Sequence, residues 1–225
     1  FVLYRVKGGT TIPNNRSLQL VSFAPNSYSN QQWSLKQWNV MNNQKVNGSG
    51  AGFFEYQVQL PADLDLDKVK NVVLTFEASA KTLFGKDREG LNIIHSDLDF
   101  ITGKGTHDPG KSKNSYSQTD EKRFPSQVHI SINGKSCGFA SLADDPADHR
   151  GALSWFAQGK KNTLEEAGSY GYLVEINIPK EQFKAGETVT IRMEVPKESK
   201  GGLAIYGKET GRYPLDPTLI FNLKK

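Results

Sequence analysis

One polar segment of the sequence, residues 86–125, contains side chains of the types that can bind metal ions. Two histidines and three aspartates lie close together in it: His95, Asp97, Asp99, His107 and Asp108. Carboxylate oxygens suit calcium, and an Asp-x-Asp pair supplies two of them, whereas the histidines would equally suit zinc. The spacing does not fit an EF-hand, which needs a glycine and a distal glutamate. We predict a metal site at Asp97, Asp99 and Asp108, with structural calcium as one candidate; a solvated loop with turn-forming aspartates is the alternative.

A second polar segment, residues 144–151, concentrates aspartates, a histidine and an arginine ahead of a tryptophan. A Ser-His-Asp triad could be drawn here, but the segment has neither a nucleophile elbow nor an oxyanion loop. A sugar contact fits better, because Asp and Arg hydrogen-bond hydroxyl groups and an indole packs on the C–H side of a pyranose. We predict His149, Arg150 and Trp155 as sugar contacts. The alternative is a loop held by Asp–Arg pairs, in which Trp155 covers the edge of the core.

Two further tryptophans, Trp33 and Trp38, lie in residues 24–52, a stretch rich in Asn, Gln, Ser and Gly. Because this stretch does not alternate between apolar and polar residues, we predict a long irregular loop. Long loops in compact domains are usually functional or disordered. Aromatic side chains on the loops of a rigid scaffold make good binding platforms. We therefore predict that Trp33 and Trp38 stack on a sugar ring, with burial as lids of the core as the alternative.

A glycosidase would need two carboxylates at a defined separation. Glu165 and Glu166 are adjacent and are expected to diverge. The other candidates lie on the polar faces of predicted strands: Glu55, Glu77, Glu175 and Glu194. The sequence does not pair these four and marks none of them as withdrawn from water. We interpret them as solvent-facing surface charge, with a catalytic jelly-roll glycosidase or lyase as the alternative.

The elements that must position these residues are strands, because apolar and polar residues alternate with a period of two. The pattern is clearest in five segments: residues 53–60, 72–78, 128–133, 172–178 and 188–195. One apolar and one polar face on each strand is typical of an antiparallel sandwich. Weaker patterns predict further strands at residues 1–6, 18–23, 203–206 and 218–223. Short helical turns are expected at residues 63–70 and 163–167.

Length and composition restrict the class of protein. A chain of 225 residues is within the range of a single β-sandwich, so we expect one domain over residues 1–225. The net charge of +4 is mild and the basic residues form no stripe, which argues against nucleic-acid binding. No apolar run is long enough to span a bilayer, so we expect no membrane partner. The single cysteine, Cys137, rules out an intrachain disulfide and has no charged activator nearby in sequence.

Several stretches resemble a known family. The sequences DPADHRGALSW, EAGSYGYLVEINIP and GGLAIYGKETGRYPLDPTLIF resemble the C-terminal region of family 2, β-galactosidase-like glycoside hydrolases of Bacteroidetes and fungi. NGSGAGFFEYQVQLP and VHISINGKSCG are similar to strands of a galactose-binding-like jelly roll. The resemblance covers residue 46 to the end, with the two long non-alternating segments, residues 24–52 and 86–125, poorly matched, and GRYPLDP is its most specific part. In that motif we expect Arg212 to bridge to Asp216 while Pro214 and Pro217 stiffen the turn.

The resemblance implies an accessory module cut from a larger enzyme, with the catalytic residues on a separate TIM-barrel domain. No βα alternation is present, so that barrel would be a partner domain of the parent chain. The sequence thus predicts an all-β, antiparallel jelly-roll sandwich that is non-catalytic and binds carbohydrate. The family further implies an extracytoplasmic location. A purely structural interdomain module is the remaining alternative, and it would present an exposed apolar patch.

Overall fold

The computed structural model describes residues 17–83, 123–145 and 171–224, and these contain twelve strands. In chain order the strands are β1 (Leu18–Ser22), β2 (Tyr28–Trp33), β3 (Lys36–Val40), β4 (Lys45–Ser49), β5 (Gly52–Gln59), β6 (Val69–Ser79), β7 (Ser126–Ile132), β8 (Lys135–Leu142), β9 (Tyr172–Ile178), β10 (Thr188–Val195), β11 (Leu203–Tyr206) and β12 (Thr218–Leu223). A 3₁₀ helix at Lys180–Gln182 lies between β9 and β10.

The strands form two antiparallel sheets. One has five strands in the order β2-β5-β10-β7-β8. The other has seven strands and is built around the long strand β6, which pairs with β9 along one edge. Along its opposite edge β6 pairs with β12 over its first part and with β11 over its last part. Strand β1 lies beyond β12, and strands β4 and β3 follow beyond β11. The architecture is an antiparallel β-sandwich of the jelly-roll class, as the alternating pattern predicted.

The core lies between the two sheets and is formed by the predicted apolar faces. Fully buried side chains come from both sheets and include Phe54, Tyr56, Phe76, Ile191 and Phe221. The tyrosine hydroxyl of Tyr56 donates a hydrogen bond of 2.7 Å to the carbonyl oxygen of Pro25, so this buried polar atom is satisfied. Burial is the main cause of a pKa of Tyr56 well above its usual value, with the nearby Tyr28 adding to the increase.

The prediction of an irregular loop over residues 24–52 was wrong, because three strands, β2 to β4, lie in this stretch. Their side chains are mostly Asn, Gln, Ser and Lys, which disguise the period of two. Backbone pairing with β5 and β11 nevertheless forms these strands, since ladder hydrogen bonds do not depend on side-chain type. Trp33 and Trp38 are therefore strand residues rather than loop residues.

The hairpin turn predicted from the Asn133-Gly134 pair is confirmed. Asn133 and Gly134 between β7 and β8 have φ angles of 49° and 77°, the left-handed pair that a tight hairpin requires. Residues 63–68 form turns rather than the predicted helical turns, and the predicted strand at 1–6 and helix at 163–167 lie outside the described residues. In the described part of the chain, no helix has the length and apolar character needed to cross a membrane.

Candidate functional site

Trp38 lies on the outer face of the seven-stranded sheet. On β3 it is directly opposite Asn47 of β4, whereas its neighbour Asn39 is opposite the core residue Val46. Residues opposite each other in an antiparallel pair share a face, so Trp38 and Asn47 point away from the core. The same row continues through Ala204 of β11 to Ser79 of β6. The predicted tryptophan is thus held on a rigid sheet.

Two ammonium groups lie beside the Trp38 ring. The Nζ atom of Lys36 is 5.6 Å from the ring centroid, and the Nζ atom of Lys81 is 5.7 Å from it. Both distances are within the range of a cation–π interaction. The neighbouring Asn47 is only 2 % exposed, and its Oδ1 atom has no hydrogen-bond partner. A partly exposed indole is therefore flanked by the half-buried Lys36 and by Lys81, whereas the Asn47 amide opposite it is buried.

Lys81 is fixed by a buried ion pair. Its Nζ atom is 3.1 Å from Oδ2 of Asp145, and the same oxygen accepts a 3.0 Å hydrogen bond from the backbone N–H of Thr82. Asp144 accepts a 2.8 Å bond from the N–H of Phe124 through its Oδ1 atom. These two aspartates hold together chain positions that are far apart in sequence. The alternative interpretation of the 144–151 segment, a loop held by Asp–Arg pairs, stays a prediction, because Arg150 lies outside the described residues.

A second polar row lies next to the Trp38 row. Lys45, Tyr206 and Glu77 are opposite one another on β4, β11 and β6. The Nζ atom of Lys45 donates a 3.0 Å hydrogen bond to the hydroxyl of Tyr206 and lies 4.2 Å from the centroid of its ring. Ser79 is 3.2 Å from the same hydroxyl. Tyr206 is thereby held by two polar neighbours, and this row next to Trp38 is buried except for the half-buried Lys45.

Glu77 corrects one prediction, because this glutamate is fully buried and does not face solvent. Its carboxylate accepts hydrogen bonds of 2.8–2.9 Å from the backbone N–H groups of Gly171, Arg212 and Tyr213. A Cβ atom on Gly211 would lie 2.1 Å from the Glu77 Oε2 atom, so only glycine fits there. The glycine, arginine and tyrosine of the GRYPLDP motif thus fold over β6 and place their backbone around this carboxylate.

The expected bridge between Arg212 and Asp216 in that motif is not what anchors it. The Oδ1 atom of Asp216 instead accepts a 3.1 Å hydrogen bond from the backbone N–H of Lys208, and its Oδ2 atom is 3.9 Å from the Nζ atom of Lys208. The backbone N–H of Arg212 is directed to Glu77. The motif is therefore held by a buried carboxylate that the sequence gives no reason to connect with it.

Trp33 takes the alternative role of a lid on the core. Its ring centroid is 5.0 Å from that of Phe54, and the ring packs against the core cluster. A Cβ atom on Gly48 or Gly52 would lie 1.9 Å or 2.7 Å from the indole, so the ring rests directly on the backbone of both glycines. Contact with these neighbours covers much of the ring. The geometry gives Trp33 a packing role and leaves Trp38 as the tryptophan that faces outward.

The other predicted site residues, namely His149, Arg150 and Trp155 for sugar and Asp97, Asp99 and Asp108 for metal, lie outside the described residues. Within residues 17–83, 123–145 and 171–224, no three His, Cys, Asp or Glu side chains converge on a metal position. Cys137 packs against the core, and its partial burial raises the pKa of the thiol above its usual value, which agrees with the predicted lack of reactivity.

The same outer face also has an open groove of about 610 Å³. Three amide side chains, Asn71, Asn177 and Asn222, line it together with Glu175, and Val73 contributes apolar surface. Val73 lies six residues before Ser79 on β6, so the groove is about 20 Å from the Trp38 row. Amides donate and accept hydrogen bonds, which suits hydroxyl groups, but the groove has no aromatic side chain.

The fold defines the chain as a jelly-roll β-sandwich, and the partly exposed Trp38 on the outer face of one sheet is its candidate site. No protein-family model and no curated protein matches the sequence. Among solved structures, the chain is similar to a family 35 carbohydrate binding module from Clostridium thermocellum, with 10% sequence identity, a TM-score of 0.34, and coverage of 92% of this chain and 93% of that one.

The chain is also similar to the catalytic domain of a GH87 α-1,3-glucanase in complex with nigerose, with 8% identity and a TM-score of 0.36. That alignment covers 93% of this chain and 28% of the glucanase chain. Likenesses this distant indicate no function for the present chain, so any functional conclusion has to rest on its own residues.

Proposed function

We propose that this chain is a non-catalytic carbohydrate-binding module and that Trp38 is its central sugar contact. The observation that carries the proposal is the outward-facing indole of Trp38, flanked at 5.6 Å and 5.7 Å by two lysine ammonium groups. An indole face packs on the C–H side of a pyranose ring, while the ammonium group of the half-buried Lys36 can donate hydrogen bonds to its hydroxyl oxygens. The Lys81 ammonium is held in its buried ion pair with Asp145 and adds positive charge beside the indole.

The positions of the glutamates favour binding over catalysis. Glu77 is committed to three backbone N–H groups. Glu55 and Glu194 both contact the guanidinium of Arg192 on the outer face of the five-stranded sheet, and the Glu194 side chain is 49% exposed. A catalytic acid needs an environment that withdraws it from water, and this open, ion-paired face does not supply one. Among the described residues, the glutamates therefore support a binding function better than a catalytic one.

The parent protein is part of the same proposal. The sequence resemblance supports a family 2, β-galactosidase-like glycoside hydrolase whose catalytic TIM barrel lies elsewhere in the parent chain, with a galactose-binding-like module here. An extracytoplasmic location follows from that family and rests on it alone. Polysaccharides or oligosaccharides would then be the ligands, and the module would hold its enzyme on them.

A specific observation favours a second candidate function, that of an interdomain contact. Leu35 and Met41 lie directly before and after strand β3 and are 65% and 63% exposed, so an apolar side chain is open to solvent at each end of this strand. Large apolar side chains left exposed are one mark of a protein interface. In this case, β3 would pack against another domain of the parent enzyme rather than against sugar.

A glycan-array screen of the whole chain, with calcium and with EDTA, tests the proposal. We expect binding that is lost in Trp38→Ala, largely retained in Trp38→Phe and unchanged in Leu35→Ala. Both alanine variants should still fold, with a loss of less than about 1.5 kcal/mol in the free energy of unfolding, since neither side chain belongs to the core. If the wild-type chain bound none of the plant and host glycans, the binding function would be rejected. Weakened association of Leu35→Ala and Met41→Ala with the separately produced catalytic domain would then support the interdomain role.

A further inference from the structure

The outer face of the five-stranded sheet carries an ordered row of aromatic and polar residues. Cross-strand pairing places Gln32, Phe53, Glu194, His129 and Phe139 side by side on β2, β5, β10, β7 and β8. All five point away from the core, because their sequence neighbours Phe54, Met193 and Ile130 are core residues. With about 4.8 Å between strands, the row from Phe53 to Phe139 is about 14 Å long.

One end of this row is an exposed aromatic platform. Phe139 is 54% exposed, and its ring is stacked on the imidazole of His129 at a centroid distance of 5.4 Å and an interplanar angle of 22°. A phenylalanine at this position adds nothing to the core. Stacking on His129 fixes the orientation of its ring, which leaves a rigid apolar surface open to a ligand.

Near the other end of the row, a planar polar group is held in place. The guanidinium of Arg192 lies 3.4 Å from the centroid of the Phe53 ring and covers it. The Arg192 Nε atom donates a 2.8 Å hydrogen bond to Glu194, and its Nη1 atom is 3.5 Å from the Oε2 atom of Glu55. These contacts fix the hydrogen-bonding groups of all three side chains before any ligand arrives, which lowers the entropy cost of binding.

The charges of this group indicate what it can bind. Two carboxylates surround one guanidinium, so the cluster carries a net negative charge and its cation is already paired. It would repel anionic ligands. Carboxylate oxygens accept hydrogen bonds from hydroxyl groups, and the amide of Gln32 in the same row can both donate and accept. An apolar ring beside fixed acceptors matches a neutral, polyhydroxylated ligand.

We propose that this face is a second carbohydrate site, which binds neutral oligosaccharides across the strands, with Phe139 stacking on a sugar ring and the Glu55–Arg192–Glu194 cluster bonding its hydroxyls. This site is independent of the Trp38 site, since the two lie on the outer faces of opposite sheets. A module with two such faces can hold two polysaccharide chains at once. Its apparent affinity for a polysaccharide would then exceed its affinity for a short oligosaccharide.

Isothermal titration calorimetry with short neutral oligosaccharides of glucose, galactose, mannose and xylose tests the proposal, with the corresponding uronic acids as the charged comparison. We expect Phe139→Ala to weaken binding of a neutral sugar by about tenfold or more, and Phe139→Tyr to retain it. Glu194→Gln should reduce discrimination against the uronic acids. Since Phe139 is largely exposed, the alanine variant should fold normally, and circular dichroism checks this.

The variants also separate this proposal from the first one. Binding that is lost in Phe139→Ala and retained in Trp38→Ala would support the second site even if Trp38 binds nothing. Binding that is lost in Trp38→Ala and unchanged in Phe139→Ala would overturn the second site and leave the first in place. No neutral sugar bound by the wild-type chain, or tighter binding of uronic acids than of neutral sugars at this face, would also overturn it.

Discussion

Replacing Glu77 by glutamine should strongly destabilise the fold, although the change removes only a charge. The Oε1 atom of Glu77 accepts bonds from the N–H groups of Gly171 and Arg212, and its Oε2 atom accepts one from Tyr213. Glutamine keeps one acceptor oxygen and directs an NH₂ group at a backbone donor. At least one buried N–H is then left without a partner, and the others lose a charged acceptor.

The expected size of the effect follows from these contacts. A hydrogen bond to a charged group contributes about 1.5–3 kcal/mol, and an unsatisfied buried donor costs about 1–3 kcal/mol. With one donor unsatisfied and two bonds weakened, we expect a loss of about 3–5 kcal/mol in the free energy of unfolding. A domain of this kind has about 5–15 kcal/mol in total, so a large part of its stability would disappear.

Urea denaturation followed by tryptophan fluorescence measures this loss from the shift of the midpoint at constant slope. Glu175→Gln is the matched control, because Glu175 lies on the neighbouring strand β9 and is exposed; its effect should stay within about 0.5 kcal/mol. Amide hydrogen exchange should become faster at Arg212 and Tyr213 in the Glu77 variant. A loss below about 1 kcal/mol, or unchanged exchange at these amides, would refute the assigned role of Glu77.

Other substitutions test the packing and the buried polar groups. Trp33→Ala should lower the unfolding free energy by about 3–5 kcal/mol, against less than about 1.5 kcal/mol for Trp38→Ala; equal losses in urea titrations would contradict their different placement. Asp145→Ala should lower the unfolding free energy by about 3–5 kcal/mol in the same assay, because it leaves the buried Lys81 ammonium without its carboxylate partner. An unchanged unfolding free energy would argue against the ion pair. The raised pKa of Tyr56 means that its contribution is fully present below about pH 10 and is lost as the pH rises through the folded-state value. Tyr56→Phe should therefore flatten the decline of stability at alkaline pH, and a decline identical to that of the wild type would show that Tyr56 is not its cause.

The sequence was sufficient for the strands whose apolar residues alternate. Strands β5, β7, β9 and β10 lie where a period of two predicted them, because one face of each must enter the core. Strands β2 to β4 could not be predicted in this way, since their outward residues are polar and several inward positions are occupied by small or amide side chains such as Gly48 and Asn39. Only pairing with strands distant in sequence identifies them.

The candidate site likewise combines features that the sequence predicted with features that depend on strand pairing. The sequence identified Trp33 and Trp38 as chemically equivalent candidates, but their side of the sheet depends on register, and a shift of one residue exchanges the two faces. Phe53, Phe139 and Arg192 gave no signal as a group, because they are far apart along the chain and become neighbours only through the strand order β5-β10-β7-β8.

Local pattern by itself determined that this protein is an antiparallel β-sandwich with an aliphatic and aromatic core, since burial of one strand face is a requirement of each segment taken alone. Tertiary structure decided which polar residues remain in contact with water. Glu77 has the sequence context of a surface glutamate, and it is buried because the 211–213 backbone, more than a hundred residues later, supplies donors to its carboxylate. Such a pairing depends on chain segments that meet only after folding, and no spacing within the sequence encodes it.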